Sequence, residues 1–202
     1  MPVPLKIDFV SDISCPWCVI GLRALEQAIA RLDGQVAVDL HFQPFELNPQ
    51  MPPGGQDIDE HLQQKYGSTP EQAALVRERI RAAGAALGFT FSLQTRSRIY
   101  NTFDAHRLLH WAALEGHQLA LKQALFQAYF TDGEDPSNHQ VLIRAAARVG
   151  LDATRAARIL DSNEFAAVVR KEQAFYRDQG IHAVPAVIIN NQHLIQGGQP
   201  VE

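Results

Sequence analysis

The 202-residue sequence contains no apolar run that approaches the roughly 20 residues a membrane-spanning helix requires, so we expect no membrane partner. It also lacks a strong excess of one charge, since 18 lysines and arginines stand against 22 acidic residues, for a net charge of −4. This balance gives no support for a nucleic-acid partner. The absence of a fixed-period repeat disfavours a solenoid. With 46% hydrophobic residues, the chain can bury a sizeable core.

Cysteine is scarce, and both cysteines, Cys15 and Cys18, fall in one four-residue stretch. The first six residues lead directly into a predicted strand and leave no room for a signal peptide. We therefore expect a cytoplasmic location, unless a leader was removed. In a reducing compartment, two cysteines indicate redox or metal chemistry rather than a structural disulfide.

The two cysteines lie at a predicted turn from a strand to a helix. Upstream, three apolar residues alternate with polar ones, as in a strand: Leu5, Ile7 and Phe9. Downstream, apolar residues recur at helical spacing: Val19, Leu22, Leu25, Ile29 and Leu32. Pro16 suits the first helical position, and Trp17 adds bulk beside Cys15. The pattern therefore places Cys15 at the start of a helix.

This placement favours redox chemistry because a helix N-terminus stabilises a thiolate, which is the nucleophilic form of cysteine. Cys18, one turn further on, can attack a mixed disulfide formed on Cys15 and release the substrate as a thiol. A pair of buried, inert thiols is one alternative. A zinc half-site is another, but the sequence has no second Cys-x-x-Cys to complete it, so we predict no metal.

The rest of the chain predicts a small mixed sheet and a helical subdomain. Alternating apolar residues at positions 36–42 predict a second strand, which would complete a parallel βαβ unit. A segment rich in proline and glycine at 48–55 leads out of this unit, and helical patterns dominate from 57 to 179. We expect helices at 101–115, 118–130, 139–149, 153–160 and 163–179, and one that opens at Thr69-Pro70. Residues 186–195 predict an antiparallel hairpin.

The segment Ser-Cys-Pro-Trp-Cys-x-Ile-Gly, from Ser14 to Gly21, resembles the DsbA-like thiol oxidoreductases of the FrnE subgroup. This subgroup is related to 2-hydroxychromene-2-carboxylate isomerases and kappa-class glutathione transferases. Further segments resemble the family in the family's order, at 43–49, 101–108, 180–185 and 197–200. The resemblance implies an α/β fold, a thioredoxin-like sheet with a large all-helical insertion. We divide the chain into a first thioredoxin-like part at 1–50, the insertion at 51–162 and a second thioredoxin-like part at 163–202.

The resemblance also implies a thiol–disulfide oxidoreductase that acts on protein or small-molecule thiols and disulfides. Cys15 would attack, Cys18 would resolve, and Pro16 and Trp17 would contact the substrate. A cis Pro185 would pack beside the cysteines and leave the backbone of Val184 free to pair with the substrate. No tightly bound cofactor is expected, although glutathione could serve as a co-substrate.

Two other function classes stay open. One is a glutathione-dependent isomerase or transferase of the 2-hydroxychromene-2-carboxylate isomerase type. Those relatives typically carry serine where this chain has Cys15, which disfavours that reading. The other is a binding module that keeps the fold without catalysis, which both thiols disfavour.

Three polar residues are further candidates for the substrate site. Asn48 matches a position that lines the glutathione or substrate site in the isomerase relatives, or it is a turn residue before Pro49. His106 and His110 share one helical face, but without an acidic third ligand we favour ordinary polar positions, with His106 near the cleft. His182 could approach Cys15 and favour its thiolate, or it is a solvated loop residue.

The last six residues resemble a loop followed by the start of a helix at Pro200. In a thioredoxin-like arrangement, a final helix covers one face of the sheet. We therefore expect the natural chain to continue past Glu202, with covering by a second copy in a homodimer as the weaker alternative.

Overall fold

The computed structural model describes residues 2–92 and 96–202; Met1, which belongs to the first predicted part, and residues 93–95 lie outside this description. The described residues form a four-stranded sheet, a two-stranded ladder and eight α-helices. In chain order, these elements are β1 (Val3–Ser11), α1 (Pro16–Arg31), β2 (Val36–Pro44), β3 (Gln56–Asp57), α2 (Ile58–Tyr66), α3 (Pro70–Ala86), β4 (Arg98–Ile99), α4 (Phe103–Leu114), α5 (Gln118–Phe126), α6 (His139–Arg148), α7 (Ala153–Leu160), α8 (Ala166–Asp178), β5 (Ala186–Ile189) and β6 (His193–Gln196).

The main sheet has the strand order β2-β1-β5-β6. Strands β1 and β2 are parallel, with Phe9 opposite Phe42, so the predicted βαβ unit is confirmed. Strand β5 runs antiparallel to β1, with Phe9 also opposite Val187, and β5 and β6 form the predicted hairpin. Because β1 has a partner on each side, its Ile7 and Phe9 are buried at the centre of the molecule. The expected thioredoxin-like sheet with a helical insertion is confirmed.

Helix α3 begins as its sequence predicts. The Thr69 hydroxyl accepts a hydrogen bond from the Gln72 N–H at 3.3 Å, and the Gln72 side chain accepts one from the Thr69 N–H at 2.9 Å. This capping box satisfies two N–H groups that would otherwise lack partners, and Pro70, at the first helical position, has no N–H group that would need an acceptor.

The strands β3 and β4 were not predicted, because pairing over two residues leaves no periodicity to detect.

Several helix boundaries differ from the prediction. Helix α4 starts at Phe103 rather than Asn101, because the Asn101 side chain accepts a hydrogen bond from the Phe103 N–H at 2.9 Å and holds a turn there. The helix predicted at 118–130 changes to π-helical geometry at Gln127–Thr131. Helix α8 starts at Ala166 because Phe165 adopts a positive φ of 62°, which a continuing helix does not allow.

The helical block docks on the free edge of β2. The side-chain amide of Gln118 donates a hydrogen bond to the Phe42 carbonyl and accepts one from the Phe42 N–H, both at 2.9 Å. A side chain thus supplies the pairing that another strand would give and protects the edge. One hydrophobic core extends from Phe9 and Phe42 of the sheet to Phe126 and Leu142 of the helices. The division at 50/51 and 162/163 stays a prediction.

A buried arginine joins α4 to the turn between α7 and α8. Arg107 is 3% exposed and forms an ion pair with the Asp104 carboxylate at 2.7 Å. Its guanidinium also donates to three backbone carbonyls, those of Ile159, Ser162 and Glu164. These carbonyls belong to residues at the end of α7 and in the following turn, so one planar side chain satisfies acceptors that the helix leaves free.

The segment that follows β6 packs on the start of α1. The Gly197 N–H donates to the Pro185 carbonyl at 2.8 Å, and Gly198 lies against Trp17. The helix predicted to begin at Pro200 is not formed within residues 200–202. In β6, Leu194 and Ile195 are 48% and 38% exposed. None of the helices in the described ranges is long and apolar enough to cross a membrane.

We predict that Arg107→Met destabilises the fold by about 3–5 kcal/mol, because it leaves three carbonyls and a carboxylate without their donor. Urea unfolding at neutral pH measures this loss. The matched control is Arg158→Met, which changes an exposed arginine on α7 and should shift the free energy of unfolding by no more than about 0.5 kcal/mol. Equal effects of the two substitutions would contradict the structural role of Arg107.

Candidate active site

Cys15 is the N-cap residue of α1, and Pro16 is the first residue of the helix, as predicted. The backbone of Cys15 is extended, with φ of −93° and ψ of 112°, so the chain turns from strand into helix at the thiol. Pro16 suits this point because its ring presets the helical φ and its missing N–H would have no helical partner. The positive end of the helix dipole therefore lies at Cys15.

The two cysteines are free thiols that lie 3.4 Å apart. The Cys15 Sγ is 3.5 Å from the Val184 carbonyl oxygen, to which it donates a hydrogen bond. Cys15 is only 4% exposed, less than we expected for a thiol at a helix start, because the segment around Val184 packs against it. Cys18 is completely buried.

The environments of the two thiols are unequal. Burial raises the pKa of the Cys18 thiol well above its ordinary value, and the hydrogen bond and charge of Cys15 raise it further. Cys18 therefore stays protonated at neutral pH, whereas Cys15 occupies the helix terminus that favours a thiolate. The arrangement suits one attacking and one resolving thiol.

Pro185 lies beside the cysteines and follows a cis peptide bond from Val184, the isomer that the resemblance predicted. It is buried against α1 at Gly21, where a Cβ atom would come within 3.1 Å of the Pro185 ring. Only glycine gives that ring room without a shift of the surrounding atoms. Val184 itself is half-buried, so part of it faces solvent next to Cys15.

A buried carboxylate organises the loop that precedes the cysteines. Asp12 is 1% exposed and accepts hydrogen bonds from three segments of the chain. The donors are the Ser14 hydroxyl at 2.8 Å, the Leu47 N–H at 2.7 Å and the Thr102 hydroxyl at 2.7 Å. The carbonyl of Asp12 also accepts the Cys15 N–H at 3.3 Å. Asp12 thus fixes the cysteine loop to the segment after β2 and to the start of α4.

His106 lies behind the cysteine loop rather than on its surface. Its Nε2 atom is 3.4 Å from Asp12 Oδ1, a contact that is electrostatic rather than a well-formed hydrogen bond. Burial would raise the pKa of Asp12, but His106, the Leu47 N–H and the Thr102 hydroxyl together lower it to about 2. Asp12 is therefore ionised at neutral pH.

The other predicted polar residues lie at different depths. Asn48 accepts a hydrogen bond from Lys65 Nζ at 2.7 Å, and this lysine also donates to the Leu47 carbonyl at 2.9 Å. Asn48 therefore lies on the segment that Asp12 holds. His182 is exposed, and within the described part of the chain it forms no hydrogen bond or ion pair with Cys15 or any other residue. Pro16 and Trp17 are partly exposed.

Sequence reasoning missed four groups whose side chains or charges act near the thiols. Thr102 lies inside the family segment at 101–108 and Asp12 lies just before the motif that starts at Ser14, but nothing in the pattern indicated that their side chains meet. Lys122 is fully buried on α5, and no motif contains it. Tyr66, at the end of α2, is also affected by Cys15: burial raises the pKa of Tyr66, and the charge of Cys15 raises it further.

Within residues 2–92 and 96–202, no cluster of three or more histidine, cysteine or acidic side chains could hold a metal ion.

We predict that Asp12→Asn destabilises the protein by about 2 kcal/mol at neutral pH. Both carboxylate oxygens of Asp12 accept hydrogen bonds, whereas an asparagine amide has only one accepting oxygen. The folded-state pKa of Asp12 is about 2 against an ordinary 3.8, so its stabilising contribution is present above pH 3.8 and is lost as the pH falls towards 2. Urea unfolding at pH 7 and at pH 3 tests this. A difference between the wild type and Asp12→Asn that did not shrink at pH 3 would contradict the assignment.

Comparison with known proteins agrees with this geometry. The DSBA-like thioredoxin domain family matches residues 6–202. A probable DsbA oxidoreductase from Streptomyces coelicolor is 31% identical, with a TM-score of 0.91 over 98% of this chain and 85% of that one. A 2-hydroxychromene-2-carboxylate isomerase has a TM-score of 0.70 at 13% identity, over 96% of this chain and 89% of its own.

The cytosolic disulfide reductase DsbM from Pseudomonas aeruginosa, in a structure with glutathione, has a TM-score of 0.66 at 16% identity. The match covers 95% of this chain and 89% of that protein. At such identities, the isomerase and the reductase share the fold with this chain. The family match and the Streptomyces relative go further, and they show that the chain belongs to the DSBA-like thioredoxin domain family.

Proposed function

We propose that the protein is a thiol–disulfide oxidoreductase in which Cys15 attacks and Cys18 resolves. The observation that carries this proposal is the unequal pair: two free thiols 3.4 Å apart, one at a helix N-terminus and the other fully buried beneath it. Short separation allows the pair to close into a disulfide, and unequal environments determine which sulfur reacts first.

The reaction consists of two exchanges. The Cys15 thiolate attacks one sulfur of a substrate disulfide, the substrate S–S bond breaks, and one half leaves as a thiolate. The Cys18 thiolate then attacks Cys15 Sγ in the mixed disulfide and releases the second half. The substrate gains two electrons and the protein becomes the Cys15–Cys18 disulfide. The reverse sequence oxidises a dithiol substrate, and the reduction potential of the pair decides the direction.

We propose that the substrate occupies the surface formed by Trp17, Val184 and Pro185, with Pro16 and Asn48 at its edge. Trp17 and Val184 are partly exposed, and Val184 lies next to the attacking sulfur. Extended backbone of a protein substrate could pair with the backbone at Val184. We place His106 behind this surface, where it acts on Asp12, and His182 outside the reacting region.

The glutathione-dependent isomerase or transferase is the weaker alternative. The fold likeness to the isomerase does not extend to chemistry, and the two thiols of this chain supply a complete exchange reaction without a bound thiol. Glutathione remains a candidate co-substrate, since the DsbM structure contains it. A cytoplasmic location and a homodimer also stay predictions.

We predict that Cys18→Ser reacts with a disulfide substrate but accumulates the mixed disulfide on Cys15, since only the second exchange needs Cys18. Cys15→Ser should lose catalysis. Intact-mass analysis after a pulse of glutathione disulfide detects the adduct, and reduction of insulin measures turnover. Thiol exchange that survives in Cys15→Ser would exclude this proposal and favour the isomerase alternative.

We also predict that iodoacetamide modifies Cys15 at least about tenfold faster than Cys18 at pH 7, because the raised pKa of Cys18 leaves little thiolate there. Peptide mass mapping after brief labelling measures both rates. Protein unfolded in urea is the control, in which the two cysteines should react at similar rates. Faster labelling of Cys18 in the folded protein would reverse the assigned roles.

A further inference from the structure

A cavity lies between the edge of β2 and the helices α4, α5 and α8. It has a volume of about 160 Å³, well above the roughly 15 Å³ that one water molecule requires. Neither cysteine lines it, and neither do Trp17, Val184 or Pro185. The cavity is therefore separate from the surface to which we assign the thiol substrate.

The cavity has a closed end and an open mouth. Lys122, His106 and Leu109 are 0%, 2% and 3% exposed, and they form the closed end. At the mouth, Ala113 is exposed and Leu114 is 67% exposed. A ligand that enters from solvent therefore passes the end of α4 first and meets Lys122 last.

Most polar side chains of the cavity wall already have partners. These pairs are Gln118 with the Phe42 backbone, His110 with Glu172, Gln43 with Asp8 and His41 with Asp39. Two polar groups remain, the Lys122 amine and the Nε2 atom of His106, and both are buried without a hydrogen bond among the described residues. The unused hydrogen-bonding capacity of the wall is thus concentrated at the closed end.

The amine of Lys122 is a buried cation that lacks a hydrogen-bond acceptor. It lies 5.0 Å from the centroid of the Phe126 ring and 5.8 Å from that of Phe42, and neither ring offers a lone pair. Although burial lowers the pKa of Lys122 to about 8, most of the amine is an ammonium at pH 7. The carboxylate of Asp12 already accepts three hydrogen bonds from other groups. Because an unpaired buried charge is costly, an anion at the closed end would stabilise the ammonium.

The rest of the wall favours one kind of anion. The side chains of Phe42, Leu109, Ala113 and Leu114 give the cavity an apolar surface between Lys122 and solvent. A short hydrocarbon chain gains by covering this surface, whereas an inorganic ion would lose its water there without replacement contacts. Glu172 also lines the cavity, and its charge would repel a second negative charge on the ligand.

We propose that this cavity binds the anion of a short-chain monocarboxylic acid, with its carboxylate against the Lys122 amine and its hydrocarbon chain along Leu109 and Ala113. The Nε2 atom of His106 faces Asp12 at 3.4 Å, so the charge of the ligand is assigned to Lys122 alone. This binding site is additional to the thiol chemistry and does not require it.

Isothermal titration calorimetry of the full chain with sodium butyrate at pH 7 tests the site, and thermal unfolding gives a second readout. We expect saturable binding and a melting temperature that rises with butyrate concentration. Butyrate should bind more tightly than acetate, by up to about fourfold for each added methylene. Butyramide has the same shape without the charge and should bind at least about tenfold more weakly, as should inorganic phosphate.

Two variants locate the ligand. Lys122→Met should weaken butyrate binding by at least about tenfold, because methionine offers the carboxylate no donor. Lys171→Met, which removes an exposed lysine from α8 beside Glu172, is the matched control and should leave the Kd unchanged. Ala113→Phe places a ring at the mouth without changing the charge, and it should also prevent binding. Because Ala113 is exposed, this variant keeps the test available should Lys122→Met fail to fold.

Several outcomes would overturn the proposal. If butyrate gives neither a saturable heat nor a rise in melting temperature, the cavity holds water only. Equal affinities for butyrate and butyramide, or unchanged binding in folded Lys122→Met, would exclude the amine as the group that binds the carboxylate. Phosphate that binds as tightly as butyrate would exclude an organic acid as the preferred ligand. Near-ultraviolet circular dichroism verifies the fold of each variant, and thiol exchange is measured separately, so failure here leaves the proposed function standing.

Discussion

The carboxylate of Asp12 is the contact on which the candidate site depends. It joins the cysteine loop, the segment that follows β2 and the start of α4, which lie far apart in the chain. Each donor would be buried without a partner if the carboxylate moved, so the three segments hold one another in place. The position of Cys15 relative to the helical insertion follows from this arrangement.

The insertion therefore completes the site. Thr102 and His106 of the helical block contact Asp12, and the charge of Lys122 lowers the pKa of Cys18 against the larger effect of burial. Gln118 fixes the same helix as Lys122 to the edge of β2. Because the hydrophobic core is continuous between the two parts, a shift of α5 would move a charge towards or away from the resolving thiol.

The two thiols differ because their surroundings differ, not their residue type. Cys15 has the helix terminus and the Val184 carbonyl beside it, whereas Cys18 is fully buried in the hydrophobic core. Burial opposes the thiolate that the resolving step requires.

The sequence by itself determined the order of the main-sheet strands around a helical block, the strand-to-helix turn at Cys15 and the hairpin after Pro185, because periodicity, proline and capping residues act locally. The family segments extended this to the sheet with its insertion. Only the tertiary structure decided that Cys15 is nearly covered, that Asp12 binds Thr102 and that His182 is exposed. It also placed Lys122, a lysine in an ordinary helical pattern, in the core. Such contacts join residues distant in the chain, and local patterns carry no information about which buried side chains meet.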